Sequence, residues 1–411
     1  MKRRHFLFGL GAFGLSFGGL RYWPDEGIWN PCAAGGLPEA LARHELVSKI
    51  WEGLDTRQLW DCHTHLIGKG DSDSGIWVNP NMDSLLHPIQ YVQFQFYLNA
   101  ACAAGAASVD EGYVNRLMAL NQDLAPGSKL MLLAFDYHHD ENGERITEVS
   151  PFYTPNEYAA RLARQHPEHF EWIASIHPYR RNCVEALEWA AANGARAVKW
   201  LPGAMRIDPS SALCDRFYDA ALRLKIPLLV HSGSEHAVHV EGLQQLGNPL
   251  LLRRPLDRGV KIILAHCASL GSSPDIDQGP DGPEIPNFEL FTRLMDEAQY
   301  RNNLFGDISA VTQVNRDAAI IAEIIRRQDW HPRLLQGSDY PLPGVMPVFS
   351  LDMFVGPGYL QQQEADFLSQ VRVYNPLLFD IGLKRLLQAD GLRLGNTVFE
   401  TRRMFAAAGS V

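Results

Sequence analysis

Short apolar runs alternate with amphipathic segments along most of the chain. The runs occupy residues 59–65, 129–137, 170–178, 195–201, 227–232, 260–267, 303–309 and 333–339. Strands that are apolar along their whole length and separated by helices are typical of a parallel sheet buried on both faces. Eight such units in one chain predict an α/β fold that closes into a (β/α)8 TIM barrel, in preference to an open doubly wound sheet.

The segments between the runs carry helix signals. Thr154 to Glu157 has the pattern of a capping box, which predicts a helix over residues 158–165. Asn182 is expected to cap a helix over residues 183–193, which Gly194 ends. Further helices are expected over residues 208–224 and 314–328. These helices would cover the outer face of the barrel.

Two long regions fall outside the eight units. Residues 67–128 form a connection far longer than an ordinary βα loop, so we expect a functional insertion or an extra helical subdomain after the first strand. The tail, residues 342–411, ends in helical patterns and is expected to pack against the barrel. We therefore predict one catalytic domain over residues 33–411, with a barrel core at about 57–341 and C-terminal helices over 342–411.

The first 32 residues have a different character. Met1 to Leu7 is basic, and a glycine-rich apolar run follows to Leu20. This run suits an export signal better than a membrane span, and its Arg-Arg-x-Phe-Leu order resembles a twin-arginine signal. We predict export to the periplasm by the twin-arginine machinery. An N-terminal anchor with a linker stays an alternative, because no clean Ala-x-Ala cleavage site follows Leu20.

Composition narrows the range of partners. The formal net charge is −10, so the chain has no broad basic field for nucleic acid. Neither a Gly-x-Gly-x-x-Gly stretch nor a Walker-type loop is present, which counts against dinucleotide and P-loop sites. The six cysteines form no Cys-x-x-Cys pair and do not predict a cysteine-based zinc site. Most are expected to be buried thiols, and the sequence assigns no disulfide.

Polar residues collect where the predicted strands end. The active site of such a barrel lies at the carboxyl ends of its strands. His63 and His65 are two positions apart, so their side chains point to one side of a strand and can converge on a cation. The other residues at these ends are His177, Lys199, His231, His266, Asp307 and Asp339. The sequence therefore predicts a metal site at one rim of the barrel.

Four motifs in order strengthen this interpretation. They are His63-Thr64-His65, His231-Ser232-Gly233, Ala265-His266-Cys267 and the run from Gly337 to Pro341, at the first, fifth, sixth and eighth strands. Together they resemble the amidohydrolase superfamily, in particular its amidohydrolase-related family of metal-dependent TIM-barrel hydrolases. The resemblance covers residues 59–341, and Gly395-Asn396 is similar to that family's closing motif.

The resemblance implies a set of ligands. His63, His65, His231 and Asp339 would hold a divalent metal, most often Zn2+, whose open coordination position activates water. Asp339 would accept the proton of that water and pass it to the leaving group. His266 would polarise the substrate carbonyl or, in a binuclear site, bind a second ion. Lys199 would bridge two metals if carboxylated, and we favour one metal over two.

The expected reaction is hydrolysis of an amide, ester or lactone carbonyl in a small molecule. Trp200, Glu235, His236 and Arg180 are the candidate substrate contacts. A non-oxidative decarboxylase or hydratase is the alternative within the same resemblance, and it needs an arginine aimed at a carboxylate, for which Arg180 is the candidate. An exported, non-catalytic metal-binding barrel is the alternative from another class. Substrate identity and assembly into a homo-oligomer are left open by the sequence.

Overall fold

The computed structural model describes residues 27–33, 36–238, 242–279 and 281–406. Eight parallel strands form the frame, which we number in chain order. They are β1 (Trp60–His65), β2 (Lys129–Leu133), β3 (Phe170–Ile173), β4 (Val198–Trp200), β5 (Leu228–Val230), β6 (Ile262–Leu264), β7 (Leu304–Asp307) and β8 (Leu334–Leu335). Each lies within one of the eight apolar runs of the sequence. The predicted export signal lies outside the described residues, apart from its last few positions.

The strands follow one another in chain order. One sheet has the order β1-β2-β3, and the second runs β4-β5-β6-β7-β8 when read from its other edge. Ala174 and Val198 form a parallel bridge between the two sheets after β3. On the other side, the amide of Cys62 donates to the Gln336 carbonyl at 3.1 Å, and Thr64 bridges Tyr340. These bonds join the sheets at both edges, as the predicted TIM barrel requires.

Helices cover the strands and extend the barrel at both ends of the chain. They span Glu39–Ala42, Glu45–Trp51, Pro88–Ala100, Val109–Gln122, Asn156–Gln165, Cys183–Ala192, Pro202–Met205, Asp215–Leu224, Arg253–Asp257, Asn287–Asp296, Ala318–Arg326, Asp352–Val355, Gln362–Tyr374, Pro376–Leu386, Asn396–Phe399 and Arg402–Phe405. None of the helices in the described part of the chain has the length and apolar character needed to cross a bilayer.

The helices predicted after β2 and β3 are present in the structure, but the side-chain caps predicted for them are not. The helix after β2 begins at Asn156 without a side-chain cap, so the predicted capping box is wrong. Thr154, its expected cap, instead donates its hydroxyl to the Leu66 carbonyl at 3.0 Å. Asn182 likewise does not cap the helix after β3, because its amide oxygen accepts from Arg180 Nε at 3.2 Å. Thr154 is thus used by a distant part of the fold, and Asn182 by a neighbour in its own turn.

The barrel interior is filled by apolar side chains below the rim. Trp60, Cys62, Met131, Leu133, Ile173, Ala197, Leu229, Ile263, Ala265 and Leu335 belong to one buried cluster. Because side chains alternate along a strand, the residues two positions after Ala197 and Leu229 also point inward. Those residues are Lys199 and His231. The same alternation therefore builds the core and positions the polar side chains at the rim.

The long connection after β1 forms two helices and a short strand. Trp77–Val78 pairs antiparallel with Phe152–Tyr153, and the helices are Pro88–Ala100 and Val109–Gln122. Just beyond the first helix, Cys102 is bonded to Cys32 in a disulfide. The other four cysteines, Cys62, Cys183, Cys214 and Cys267, are free and buried. The insertion thus covers part of the barrel mouth and is tied to the segment that precedes the barrel.

The tail packs against the strand that ends at the rim. Lys384, on the helix Pro376–Leu386, is fully buried and donates to Asp380 Oδ2 and to the Gly337 carbonyl, both at 2.7 Å. Gln336 Nε2 donates to the same carboxylate at 2.9 Å. The helix Pro376–Leu386 therefore fixes the backbone two residues before Asp339.

Candidate active site

The two histidines of β1 reach the rim through an irregularity in their strand. The pairing of β1 with β2 shifts register between Asp61 and Thr64. Such a bulge changes which face a side chain points to, so His63 and His65 can point to the rim although Cys62 belongs to the buried interior. Their rings are 5.3 Å apart. Asp61 stabilises the bulge, since its Oδ1 accepts from the His63 amide at 3.0 Å and the Ser338 amide at 2.9 Å.

Asp339 closes the group from the eighth strand. Its Oδ1 lies 3.1 Å from His65 Nε2 and 3.4 Å from His63 Nε2. The residue has a positive φ of 60°, which is rare for a side chain other than glycine or asparagine. The Asp339 amide donates to the His63 carbonyl at 2.8 Å. An unfavourable backbone conformation is thus held by β1 and presents the carboxylate to both imidazoles.

Lys199 and His231 complete the inner side of the site. Lys199 Nζ lies 3.0 Å from His63 Nε2, although only 1% of the residue is exposed. His231 Nε2 is buried and has no hydrogen-bond partner among the described residues, and Glu235 Oε2 lies 3.4 Å from it. A buried nitrogen without a partner is costly unless something else binds it. The Nε2 atom of His231 is therefore close to Glu235 but not hydrogen-bonded to a described residue, and its lone pair can bind a cation.

His266 stands beside this group on a strained turn. His266, Cys267 and Ala268 all have positive φ angles. The His266 ring is stacked on His63 at 4.9 Å and lies 5.2 Å from His231. Its Nδ1 is 2.8 Å from Ser309 Oγ, so its Nε2 is the nitrogen left for the cavity. The turn after β6 therefore adds a fourth imidazole to the rim.

Asp307 orients these rings from below. This fully buried carboxylate contacts His63 Nδ1 at 3.0 Å through Oδ2, and its Oδ1 accepts from the amides of His266 at 3.0 Å and Ser309 at 2.9 Å. A carboxylate on Nδ1 fixes the tautomer in which Nε2 carries the lone pair. The sequence indicated Asp307 only as a rim residue, and its orienting role was missed. The available signal was an acidic side chain within an apolar strand.

Burial determines the charge state of the cluster. It lowers the pKa of His65 and of Lys199, takes the pKa of His231 well below its usual value and lowers that of His266 to about 3. Burial by itself would raise the pKa of Asp339, but His63, His266 and His65 outweigh it and hold that pKa well below the ordinary range. The site therefore combines neutral imidazoles with an ionised carboxylate.

This donor set fits a divalent metal. The ligand atoms of His63, His65 and Asp339 lie within 4.8 Å of one another, as do those of His63, His266 and Asp307. Neutral imidazole nitrogens with one carboxylate oxygen suit zinc and similar ions. The unpartnered Nε2 of His231 is an independent sign, since a cation would satisfy it. Asp307 already serves as an acceptor for amides, so the group with Asp339 is the better candidate.

Comparison with known proteins agrees with this geometry. A sequence profile described as amidohydrolase matches residues 60–355, well over half of the chain. The chain belongs to the amidohydrolase family. It is therefore an enzyme of a metal-dependent family with a TIM-barrel fold, as the four motifs and the strand pattern predict.

Several solved structures resemble this amidohydrolase at low identity. An uncharacterized TIM-barrel protein from Bordetella bronchiseptica is 15% identical, with 76% of this chain and 98% of that chain covered and a TM-score of 0.43. 4-Oxalomesaconate hydratase from Rhodopseudomonas palustris is 13% identical, with 79% of this chain and 95% of that chain covered and a TM-score of 0.40. 5-Carboxyvanillate decarboxylase from Sphingomonas paucimobilis is 11% identical, with 77% of this chain and 96% of that chain covered and a TM-score of 0.41. A comparison with curated protein sequences finds no significant match.

Two of the predicted substrate contacts lie elsewhere in the amidohydrolase, so those predictions are wrong. Trp200 is fully buried, donates Nε1 to the Ile176 carbonyl at 2.9 Å and packs on Phe217 at 5.2 Å between ring centroids. It points outward because Lys199, its neighbour on β4, points inward. Arg180 binds Asp136 Oδ2 at 2.8 Å and does not line the cavity at the ligands.

His177, another predicted rim residue, is also used by the fold. Its Nε2 contacts the Met205 carbonyl at 2.7 Å, and its ring lies 4.8 Å from that of His139. Burial lowers the pKa of His177 to about 3. It is thus a neutral buried histidine outside the candidate metal groups.

Glu235 and His236 do line the cavity at the ligands. Glu235 is buried, and its Oε1 accepts from the amides of Ala237 at 2.5 Å and Val238 at 3.1 Å. Burial raises the pKa of Glu235 to about 7. His236 is exposed, and its carbonyl accepts from Gln93 Nε2 at 3.1 Å. Both positions are compatible with the predicted contact with substrate.

The cavity above the ligands has two halves that meet at His65 and Asp339. The polar half, about 70 Å³, is lined by Lys199, Glu235, Gln313, Asn315 and Arg316 among others. The apolar half, about 60 Å³, is lined mainly by Ile67, Ile76, Val78, Met82, Phe94 and Phe152. Most of this second wall comes from the insertion after β1. The sequence pattern does not indicate Arg316 as a site residue, because it predicts a helix over residues 314–328.

Proposed function

We propose that the protein is a zinc-dependent hydrolase that attacks an amide, ester or lactone carbonyl of a small molecule. The observation that carries this proposal is the convergence of His63, His65 and Asp339, whose ligand atoms lie within 4.8 Å of one another. Beside them the buried His231 Nε2 has no hydrogen bond within the described residues, although Glu235 Oε2 lies 3.4 Å from it. Imidazole nitrogens and carboxylate oxygens are usual zinc ligands, and a catalytic zinc site keeps a coordination position open for water. A divalent cation in such a site lowers the pKa of water to about 7 and so supplies a nucleophile near neutral pH.

The protein groups then have separate roles. Asp339 is ionised and touches both β1 histidines, so it can accept the proton of the attacking water and return it to the leaving group. Asp307 holds His63 with Nε2 unprotonated. Ser309 donates its single hydroxyl proton to Asp307, which leaves His266 Nδ1 as the donor to Ser309 and His266 Nε2 with a lone pair. With this tautomer His266 Nε2 cannot donate to a substrate carbonyl, so of its two predicted roles only that of ligand to a second ion fits. In a one-metal site His266 would instead pack on His63 and line the cavity.

The alternatives have less support. Decarboxylation and hydration are compatible with the family, but Arg180, their predicted recognition residue, is bound to Asp136 away from the ligands. The chain belongs to an enzyme family and carries Asp339, the proposed proton acceptor, so a non-catalytic barrel has no observation in its favour. Hydrolysis remains the leading proposal, although Arg316, which lines the cavity at the ligands, offers the carboxylate-binding arginine that decarboxylation or hydration would need.

Metal content tests the site directly. The purified protein is expected to hold about one equivalent of zinc, measured by elemental analysis, and to lose activity on chelation and recover it with zinc. His231→Ala should lose the ion because it removes one ligand of four. His266→Ala should retain it in a one-metal site, and the loss of a second equivalent in that variant would instead show a binuclear centre. Protein that binds no ion even after reconstitution contradicts the proposal.

We further propose that the enzyme is exported through the twin-arginine pathway. The basic start and the glycine-rich apolar run support this. The Cys32–Cys102 disulfide supports it independently, because structural disulfides persist mainly outside the reducing cytoplasm. Export of folded protein also suits an enzyme that acquires its metal first.

Thiol titration combined with fractionation tests export. Periplasmic protein is expected to show four titratable thiols after denaturation, which are the four free cysteines. A variant with Arg3→Lys and Arg4→Lys should stay in the cytoplasm and show all six. Cys32→Ser should lower the free energy of unfolding by about 2–4 kcal/mol in the exported protein, whereas Cys32→Ser made in the cytoplasm should match the reduced wild type. Six thiols in periplasmic wild type would contradict the proposal.

A further inference from the structure

Arg316 is a buried cation without a carboxylate partner. Only 8% of the residue is exposed. Nε donates to Ser269 Oγ at 2.9 Å, and Nη1 donates to Gln313 Oε1 at 2.8 Å and Asn315 Oδ1 at 2.5 Å. All three acceptors are neutral, and within the described ranges Arg316 forms no ion pair, since the nearby carboxylates of Asp339 and Glu235 act on it only from beyond contact distance. Because an uncompensated buried charge is costly, this position is prepared for an anion.

Gln313 provides a second donor in the same place. Its Nε2 is buried and has no hydrogen-bond partner within the described residues. Its Oε1 is already bound by Arg316, so the orientation of the amide is fixed by that bond. Both residues line the polar half of the cavity. A carboxylate has two acceptor oxygens and can accept from a guanidinium and an amide together.

The other half of the cavity excludes a second charged group. Its wall is formed by Ile76, Val78, Met82 and Phe94 from the insertion, and Asp339 is the one carboxylate that lines it among the described residues. Burial of an apolar group there gains free energy with each methylene removed from water. The metal ligands lie between this wall and Arg316. A molecule that occupies both halves therefore places its middle at Asp339.

We propose that the substrate is an N-acyl amino acid with an apolar acyl group. The inference rests on the proposed hydrolysis and specifies its substrate class. The acyl chain or ring occupies the apolar half, and the amino acid carboxylate binds Arg316 and Gln313. Hydrolysis breaks the amide C–N bond, adds the oxygen of water to the acyl carbon, and leaves both hydrogens of water on the released amine. The products are an apolar carboxylate and a free amino acid.

Three probes on the zinc-loaded wild-type enzyme test the two subsites. N-(phenylacetyl)glycine carries both groups, its primary amide lacks the negative charge, and N-acetylglycine lacks the ring. We expect N-(phenylacetyl)glycine to have a KM about 10- to 100-fold below that of the amide, as for a charge-assisted hydrogen bond. Removal of the ring should cost at least about tenfold in kcat/KM. Equal values for the three compounds would overturn the inference.

Substitutions test which residues cause the preference for the carboxylate and the preference for the ring. Arg316→Gln and Arg316→Lys should reduce the preference for the charged probe, the lysine variant less, while Arg180→Gln should leave it unchanged. Val78→Phe narrows the apolar half and should lower kcat/KM for the phenylacetyl compound at least about tenfold, with little change for N-acetylglycine. A charge preference that persists in Arg316→Gln would mean that the carboxylate binds the metal, which also overturns the inference.

A binding measurement with a compound that cannot be hydrolysed tests the two subsites independently of the proposed hydrolysis. Calorimetry with 4-phenylbutyrate, which has no scissile bond, is expected to show tighter binding than with 4-phenylbutyramide, and Arg316→Gln should abolish the difference. If that difference is found but no amide, ester or lactone is hydrolysed, the subsites stand and hydrolysis fails. If neutral carbonyl compounds are hydrolysed and no charge preference is found, hydrolysis stands and the subsites fail.

Discussion

Asp339→Asn is expected to lower kcat by about 10²- to 10⁴-fold, the usual contribution of a positioned proton acceptor. The amide retains the shape of the side chain but cannot take up the proton of the attacking water. The strained backbone at φ 60° tolerates asparagine at least as well as aspartate, so the fold should be kept. Steady-state kinetics with the best substrate, together with thermal unfolding, measure both effects.

A control and the metal content make this test specific. Asp366 is an exposed aspartate on the helix Gln362–Tyr374, far from the rim, and Asp366→Asn should keep the wild-type rate. Zinc should be measured in each preparation, because Asp339 is also a proposed ligand. A fully metallated Asp339→Asn enzyme with a wild-type kcat would show that another group accepts the proton.

Asp307→Asn is expected to weaken zinc binding by about 10- to 100-fold, as is usual when the partner of a ligating histidine is removed. The amide retains the volume of the carboxylate and one acceptor oxygen. That oxygen can still accept from the His266 and Ser309 amides at the Oδ1 position, but the nitrogen at the Oδ2 position cannot accept from the His63 ring. His63 would then lose its fixed tautomer. Competition with a zinc chelator gives the dissociation constant of each variant.

The result for Asp307 should differ from the result for Asp339. At saturating zinc, Asp307→Asn should recover much of the wild-type kcat, because Asp307 acts through His63 and touches no substrate. Asp339→Asn should not recover at any zinc concentration. Unchanged zinc affinity in Asp307→Asn, with Asp366→Asn as the reference, would argue that the carboxylate only packs the fold.

The barrel was predictable because its units repeat a simple pattern. Eight apolar runs separated by helical segments specify parallel strands, and the chemistry of such a barrel collects at the strand ends. Hence the sequence already placed His63, His231 and Asp339 on one rim. The same rule of alternation also implies that Trp200 faces away when Lys199 faces in, and applying it to β4 would have corrected that prediction.

The contacts that cross the rim could not be predicted in this way. The role of Asp307 depends on the approach of β7 to β1, and the pairing of Arg316 with Gln313 depends on a turn that the sequence pattern assigned to a helix. In the structure that helix begins only at Ala318, capped by Asp317. Thr154 shows the same limit, since its hydroxyl bonds to Leu66, which is distant along the chain.

The bond from Lys384 to the Gly337 carbonyl affects the order in which the enzyme can fold. Lys384 follows all the proposed ligands in the sequence, so during synthesis the chain contains every ligand before the helix Pro376–Leu386 can dock. A nascent chain at that stage lacks the buried donor that supports the backbone before Asp339. Truncations that remove this helix should therefore produce a protein that binds zinc poorly.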